Sequence, residues 1–191
     1  MFKLIPKRLT AAVSLFMLLA CPLQSLAEST SDCLIKNWPF ETSDLKPDPS
    51  LRRGTLGNGF RYVLKKHNEP KDRVALFLMV NAGSFNEAEN QRGAAHFLEH
   101  LMFNGSENFP PGSLINYFQS IGMDFGGDTN AFTTYDRTVY NIVLPKGGSE
   151  DLESGLLVLS DYAGRALLLE EEIEKERGVI LAEKRSRDSA E

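Results

Sequence analysis

The chain has 191 residues, a formal net charge of −5 and 42% hydrophobic residues. This length and composition are typical of a single globular domain or of part of a larger protein, and they exclude extensive disorder and repeat arrays. The acidic balance argues against a basic groove, so no nucleic-acid partner is expected.

Residues 1–27 have the pattern of a secretory signal peptide. Three basic residues and no acid precede the apolar run LTAAVSLFMLLACPL, and the small-residue stretch Ser25-Leu26-Ala27 offers a cleavage site. The run is too short for a membrane-spanning helix, although a buried N-terminal helix remains an alternative. The sequence therefore predicts an exported protein, either periplasmic or secreted.

A second processing route remains open. Leu18-Leu19-Ala20-Cys21 resembles a bacterial lipobox, in which Cys21 would carry a lipid anchor. After ordinary cleavage only Cys33 would remain, so no intrachain disulfide is expected. Residues 28–50 are polar and contain three prolines, which predicts a leader or linker before the folded domain.

Ordered structure is predicted from Leu51 onward. Gly57-Asn58-Gly59 is a turn signal between two short segments, and it predicts a hairpin whose second strand covers residues 60–65. The near-continuous apolar run Val74–Ser84 is typical of a central strand buried on both faces. A helix is expected over Ala94–Phe103, ended by Asn104-Gly105.

The rest of the chain predicts further helices and two strands. Helices are expected over 113–122, Leu152–Leu169 and from Glu170 to the end of the chain, and strands over 129–135 and 138–144. Adjacent strands with separately grouped helices indicate an α+β fold: a mostly antiparallel sheet with helices packed on one face.

The stretch HFLEH holds two of the three histidines of the chain. On a helix that advances about 100° per residue, His96, Glu99 and His100 fall within an arc of about 100°. Two imidazoles one turn apart can bind one cation, and the adjacent Glu99 can accept a proton from water. The alternative interpretation is a set of ordinary polar residues on a solvated helix face.

A catalytic zinc site needs a third protein ligand, and the last predicted helix is rich in acids. Glu176 and Glu183 are seven residues apart and return to the same helix face within about 20°. The acids at the helix start favour the helix dipole and are typical of a solvated surface. Glu183 follows the apolar stretch 179–181, where a packed carboxylate would require a cation.

Three segments in the same order resemble a known family. HFLEHLMFNGSENFP, IGMDFGGDTNAFTTYDRTVY and IEKERGVILAEKR are similar to segments of the insulinase/pitrilysin family of zinc metallopeptidases, which includes the mitochondrial processing peptidases. The resemblance runs from about Leu51 to Arg187. It implies that 51–191 is the N-terminal part of a zinc-bearing peptidase domain, truncated at its C-terminal end.

The resemblance implies a role for each matching residue. His96, His100 and Glu183 would bind one Zn²⁺ ion, Glu99 would be the general base, and Glu176 would orient a ligand histidine. The family holds peptide substrates by strand addition along an N-A-x-T strand, which corresponds to Asn130 and Ala131 here. Phe132 replaces the tyrosine that is more common in that strand.

The implied function is zinc-dependent endopeptidase activity on peptides or unfolded proteins. In the family a second homologous half or partner subunit closes a chamber around the peptide, so this chain alone is expected to have low activity. Two other functions remain open: a non-catalytic partner or binding subunit of a peptidase complex, and an envelope protein that carries metal without hydrolysis.

Overall fold

The computed structural model describes residues 38–188 of the chain. The predicted signal peptide, the alternative lipid-anchor position Cys21 and residues 28–37 of the leader lie outside the described residues. Within the described range, no helix combines the length and the hydropathy that crossing a membrane requires. The chain divides into two compact units, Met1–Lys66 and His67–Glu191.

The first unit contains an antiparallel hairpin of β1 (Leu51–Thr55) and β2 (Arg61–Lys65). Its turn is closed by hydrogen bonds between Leu56 and residues 59 and 60, and Gly59 adopts the left-handed φ of 86° that favours glycine. The predicted hairpin is therefore present. Residues 38–40 add aromatic contacts, because the guanidinium groups of Arg53 and Arg61 lie over the rings of Phe40 and Trp38.

The second unit is built on a three-stranded antiparallel sheet in the order β3-β5-β4. Its elements in chain order are β3 (Val74–Val80), α1 (Ala94–Leu101), α2 (Ser113–Ser120), β4 (Thr129–Thr133), β5 (Thr138–Leu144), α3 (Ser149–Gly164) and α4 (Glu170–Asp188). Short 3-10 turns cover Pro39–Glu41, Ser84–Asn86 and Glu89–Gln91.

The core lies between the helices and one face of this sheet. Alternate residues of the central strand β5 point into it, and Ile142 and Leu144 are fully buried beside Phe118 of α2 and Val158 of α3. The period of two in β5 follows from strand geometry, since neighbouring side chains point to opposite faces. The predicted α+β fold, antiparallel with helices on one face, is confirmed.

Two element predictions were wrong in detail. Val74–Ser84 was expected to be a central strand buried on both faces, but β3 ends at Val80 and lies at one edge of the three-stranded sheet. Phe77 and Met79 on its outer face are 66% and 55% exposed. An unbroken apolar run does not distinguish a strand with two buried faces from one whose outer apolar face is uncovered.

The helix expected over Leu152–Leu169 ends at Gly164. The next residues are extended and pair with the loop after α1, since the Glu107 amide donates to the Arg165 carbonyl and the Leu167 amide donates to the Gly105 carbonyl. Leu168 then adopts a left-handed φ of 47°, which no α-helix accommodates. Long-range backbone pairing replaced the last predicted turn of this helix.

Candidate metal centre

The helix α1 presents both histidines of the HFLEH stretch on one face. The Nε2 atoms of His96 and His100 are 3.2 Å apart, and the two rings meet edge to face. The start of α1 is held by a carboxylate from outside the helix, because Glu87 accepts hydrogen bonds from the backbone amides of Gly93 and Ala95 at 2.7 and 2.8 Å. This capping stabilises the first turn, which carries His96.

The helix α4 brings Glu183 to the two imidazoles. Its Oε2 atom lies 3.6 Å from each Nε2 atom, and the three side chains are between 24% and 30% exposed. A tetrahedral zinc ion with bonds of about 2.0–2.2 Å requires donor atoms roughly 3.3–3.5 Å apart. Two imidazole nitrogens and one carboxylate oxygen therefore fit a zinc ion in both chemistry and spacing, and their partial exposure leaves room for a water ligand.

Glu176, two helical turns before Glu183 on α4, contacts His100 from the other side of the ring. Its Oε1 atom lies 2.8 Å from the Nδ1 atom of His100, and its Oε2 atom accepts a hydrogen bond from the Nδ2 amide of Asn104 at 2.8 Å. An ionised carboxylate only accepts hydrogen bonds, so this contact favours the tautomer in which Nδ1 carries the proton. The Nε2 atom of a neutral His100 ring then presents its lone pair to the position between His96 and Glu183.

The second oxygen of Glu183 has a partner on its own helix. The guanidinium of Arg187, one turn further along α4, donates to Oε1 of Glu183, while Oε2 faces the histidines. Because each oxygen has a separate neighbour, the carboxylate is oriented for a single-oxygen contact with a cation.

Glu99 is buried, with 7% of its surface exposed, and it is directed toward the sheet. Its Oε2 atom accepts a hydrogen bond of 2.6 Å from the hydroxyl of Thr133 on β4. The neighbouring Tyr140 is affected by this charge: burial and then the negative charge of Glu99 raise the pKa of the Tyr140 hydroxyl above its ordinary value. Because the Thr133 hydroxyl donates to Oε2, the Oε1 atom of the Glu99 carboxylate can still accept a proton.

Asn130 and Ala131 lie on β4, the strand that also supplies Thr133. Within residues 38–188, β5 is the strand that pairs with β4, and the other edge of β4 carries no strand, only a single bridge between Thr129 and Phe125. The Nδ2 atom of Asn130 donates to the Gly126 carbonyl at 3.4 Å, which links the strand to the preceding turn. An open strand edge next to Glu99 is the geometry that strand addition by a peptide requires.

The loop after α1 is fastened to α3 by a buried carboxylate. Asp161 has no exposed surface, and it accepts hydrogen bonds from the Ser106 hydroxyl at 2.5 Å and from the amide and side chain of Asn108 at 3.0 and 2.8 Å. Burial alone would raise the pKa of Asp161, but the hydrogen bonds from Ser106 and Asn108 outweigh it and hold this pKa below its ordinary value.

The structure thus brings together His96, His100, Glu183 and Glu176, which sequence reasoning had selected, and it adds two residues. Thr133 belongs to the N-A-x-T stretch already singled out, so its motif was the signal, although its contact with Glu99 could not be read from the sequence. Asn104 gave no such signal, because it was interpreted only as part of a helix-ending Asn-Gly pair.

Comparison with known proteins identifies relatives of the chain. The chain is 41% identical over 146 residues to the protein described as probable zinc protease PqqL of Escherichia coli K12, covering 76% of this chain and 16% of that protein. It is 38% identical over 182 residues to the Haemophilus influenzae protein of the same description, covering 95% and 18%. The chain therefore spans less than a fifth of the length of these curated relatives.

The fold is also found in a solved structure. The crystal structure of the first half of the periplasmic protease PqqL from Escherichia coli matches with a TM-score of 0.72 and 42% identity, covering 74% of this chain and 30% of that one. The family model described as insulinase (peptidase family M16) matches residues 62–191. The chain belongs to the insulinase family, peptidase family M16.

Proposed function

We propose that the chain carries the metal-binding and proton-transfer residues of a zinc-dependent endopeptidase. The observation that carries this proposal is the convergence of His96, His100 and Glu183 at donor distances of 3.2–3.6 Å, with Glu99 on the same helix turn. Membership of a family whose relatives are described as zinc proteases supports the same assignment.

In the proposed site His96, His100 and Glu183 hold one Zn²⁺ ion. The chemistry that zinc supplies when bound is Lewis-acid activation of a water molecule and of the substrate carbonyl. Glu99 accepts the proton of the attacking water at Oε1, while the Thr133 hydroxyl holds Oε2, and Glu99 then delivers the proton to the leaving amine. Glu176 keeps His100 in the ligand tautomer.

The proposed substrate is an extended peptide or an unfolded protein. It would add to the open edge of β4 along Asn130 and Ala131, because backbone hydrogen bonds there do not depend on the substrate's side chains. A second homologous half or a partner subunit would enclose the peptide. We also propose an exported, periplasmic location, which the pattern of residues 1–27 and the description of the E. coli relative as periplasmic support.

The test is the substitution Glu99→Gln, made in the full-length protein that contains this chain. Because Gln cannot accept the water proton, peptide hydrolysis should fall by about 10²–10⁴-fold while zinc content remains at one ion per chain. Glu89→Gln, an exposed glutamate shortly before α1, is the matched control and should keep full activity. Retention of hydrolysis in the Glu99 variant would contradict the assigned role.

The chain alone should be a poor enzyme. It spans 16–18% of the curated relatives, so the groups that the rest of such a protein supplies are outside it. We expect purified residues 28–191 to bind zinc weakly and to cleave a peptide substrate slowly. Stoichiometric tight zinc binding with rapid, chelator-sensitive cleavage by this piece would overturn that expectation.

A further inference from the structure

We infer that Asn104 is a positioning residue of the metal centre: through Glu176, its side-chain amide selects the tautomer in which His100 can bind a metal. The inference rests on the proposed metal site for its functional meaning. The contact itself is a property of the metal-free chain, and it can be tested there without reference to catalysis.

Both oxygens of the Glu176 carboxylate are engaged by groups from the α1 region. Oε1 meets the Nδ1 atom of His100, and Oε2 accepts from the Nδ2 atom of Asn104, each at 2.8 Å. The Glu176 side chain is only 14% exposed, so little water is available to replace either partner. One carboxylate on α4 thus fixes two side chains that lie four residues apart in the sequence.

The second hydrogen bond restricts the rotation of the carboxylate. The terminal torsion of a glutamate is broad, so a single contact with His100 would leave the carboxylate plane free to turn. The Asn104 amide holds Oε2 and thereby directs Oε1 at Nδ1. A fixed acceptor at Nδ1 favours the Nδ1–H tautomer, and the Nε2 lone pair then faces the position between His96 and Glu183.

The side chain of Asn104 is separable from its backbone role. Its backbone amide donates to the Leu101 carbonyl at 3.1 Å and closes the turn after α1, a bond that any non-proline residue can make. The fold at this position therefore does not require an amide side chain. A substitution can remove the contact with Glu176 and leave the turn in place.

The experiment compares Asn104→Leu, which has a similar size and no donor, with the parent chain, using mature residues 28–191. Zinc affinity, measured by titration, should fall by about 10-fold, the lower end of the loss typical of residues that orient metal ligands. In the zinc-free chain, long-range ¹H–¹⁵N spectra of the imidazoles should show His100 as Nδ1–H in the parent and as a mixture of tautomers in the variant.

The controls separate positioning from general destabilisation. Asn116→Leu, the same change at an exposed position of α2, should alter neither readout. The urea midpoint of each variant is measured alongside. If Asn104→Leu folds poorly, Asn104→Asp takes its place, since it keeps the shape, lacks the donor and should show an equal or greater loss.

The outcomes distinguish this inference from the proposed function. An unchanged His100 tautomer in the folded Asn104 variants would overturn the inference whether or not the chain binds zinc. A parent chain that shows the Nδ1–H tautomer and loses it in the variants would support it, even if absence of zinc binding refuted the proposed function. If the parent chain binds zinc, an equal zinc affinity in the folded variants would also overturn it.

Discussion

At the scale of single residues, the proposal of a zinc site depends most on its third ligand, Glu183. Two histidines one turn apart are a common local arrangement, whereas the carboxylate comes from another helix and is 3.6 Å from both rings. The two histidines alone would be a pair of polar residues on a helix. Together with Glu183 they form a set of three donors whose number and spacing suit zinc.

Glu183→Gln should therefore weaken zinc binding by about two orders of magnitude, because a neutral amide oxygen is a poorer ligand for the cation than a carboxylate. Glu174→Gln is the matched control on the same helix, since Glu174 pairs with the exposed Arg177. Competition with a chromophoric chelator measures both affinities. Equal affinities for the two variants would exclude Glu183 as a ligand.

The buried Asp161 makes a pH-dependent contribution to stability. Its pKa is lowered in the folded chain, so the stabilisation is fully present above the unfolded value of about 3.9 and is lost as the pH falls through the lower folded value. Asp161→Asn should lower the free energy of unfolding at pH 7 by about 1–3 kcal/mol, because it disturbs the hydrogen bonds of Ser106 and Asn108.

That difference should shrink as the pH falls below about 4, because the carboxyl of the unfolded parent chain takes up its proton there, while the folded carboxyl does so only at lower pH. Urea denaturation at several pH values measures it, and Asp44→Asn, at an exposed position of the first unit, is the control that should show no comparable change. A gap between parent and Asp161 variant that stayed constant down to pH 2.5 would contradict this explanation.

The placement of the α1 residues could be predicted from the sequence because their spacing is local. His96, Glu99 and His100 lie on one helix, so a fixed angle per residue was sufficient to group them. In the folded chain, however, Glu99 turns toward Thr133 on β4, a contact between residues 34 positions apart. Spacing along one helix carries no information about such a partner, and the same holds for Asn104 and Glu176.

At the scale of secondary-structure elements, α4 supplies the two carboxylates of the proposed site, Glu176 and Glu183, and contains a glycine between them. Gly178 is exposed in the middle of the helix, and a Cβ atom there would meet no atom within 4 Å. Gly83 is different, since a Cβ atom at this position would overlap the carbonyl oxygen of Thr134 where the end of β3 meets the β4–β5 turn.

The two glycines should respond in opposite directions to alanine. Gly178→Ala should raise the free energy of unfolding by about 1 kcal/mol, the usual gain in an exposed helix interior. Gly83→Ala should lower it by about 1–3 kcal/mol, because the backbones must separate. Urea denaturation of both variants measures the changes. A stabilised Gly83 variant would show that the backbones of Gly83 and Thr134 are not in close contact.

The helices and strands were predicted accurately where neighbouring residues in the sequence determine the structure. Gly57-Asn58-Gly59 located the hairpin, and the helix expected over Ala94–Phe103 is present as α1, which ends at Leu101. The two errors, in β3 and in the end of α3, both concern residues whose environment depends on distant chain segments. The Leu167 amide donates a hydrogen bond to the carbonyl of Gly105, 62 residues earlier. The sequence pattern around Leu167 gives no sign of this distant partner, so the end of the helix could not be predicted from it.

At the scale of the whole molecule, the outer face of the three-stranded sheet is apolar and uncovered within the described range. Met79 and Phe132 are 55% and 50% exposed, and both pair with Val139, so these three residues form a row across the sheet. Phe77, 66% exposed, lies two residues from Met79 on the same face. Apolar patches of this kind are typical of contact surfaces.

Replacing Phe77 and Met79 together by threonine should therefore reduce any self-association through this face and leave the unfolding free energy of the chain nearly unchanged. Both residues are on the exposed face, and threonine is well suited to a strand. Sedimentation velocity measures association and urea denaturation measures stability. Leu78→Thr, on the buried face of the same strand, is the contrasting control and should destabilise strongly.

The proposed donors are far apart along the chain, and this fixes when a centre can form during synthesis. His100 precedes Glu183 by 83 residues, as the numbering gives directly. A ribosome that has incorporated both histidines must still add these 83 residues before the carboxylate exists. A nascent chain that ends before Glu183 therefore lacks the complete donor set, and the two histidines gain the third proposed donor only once α4 has been synthesised.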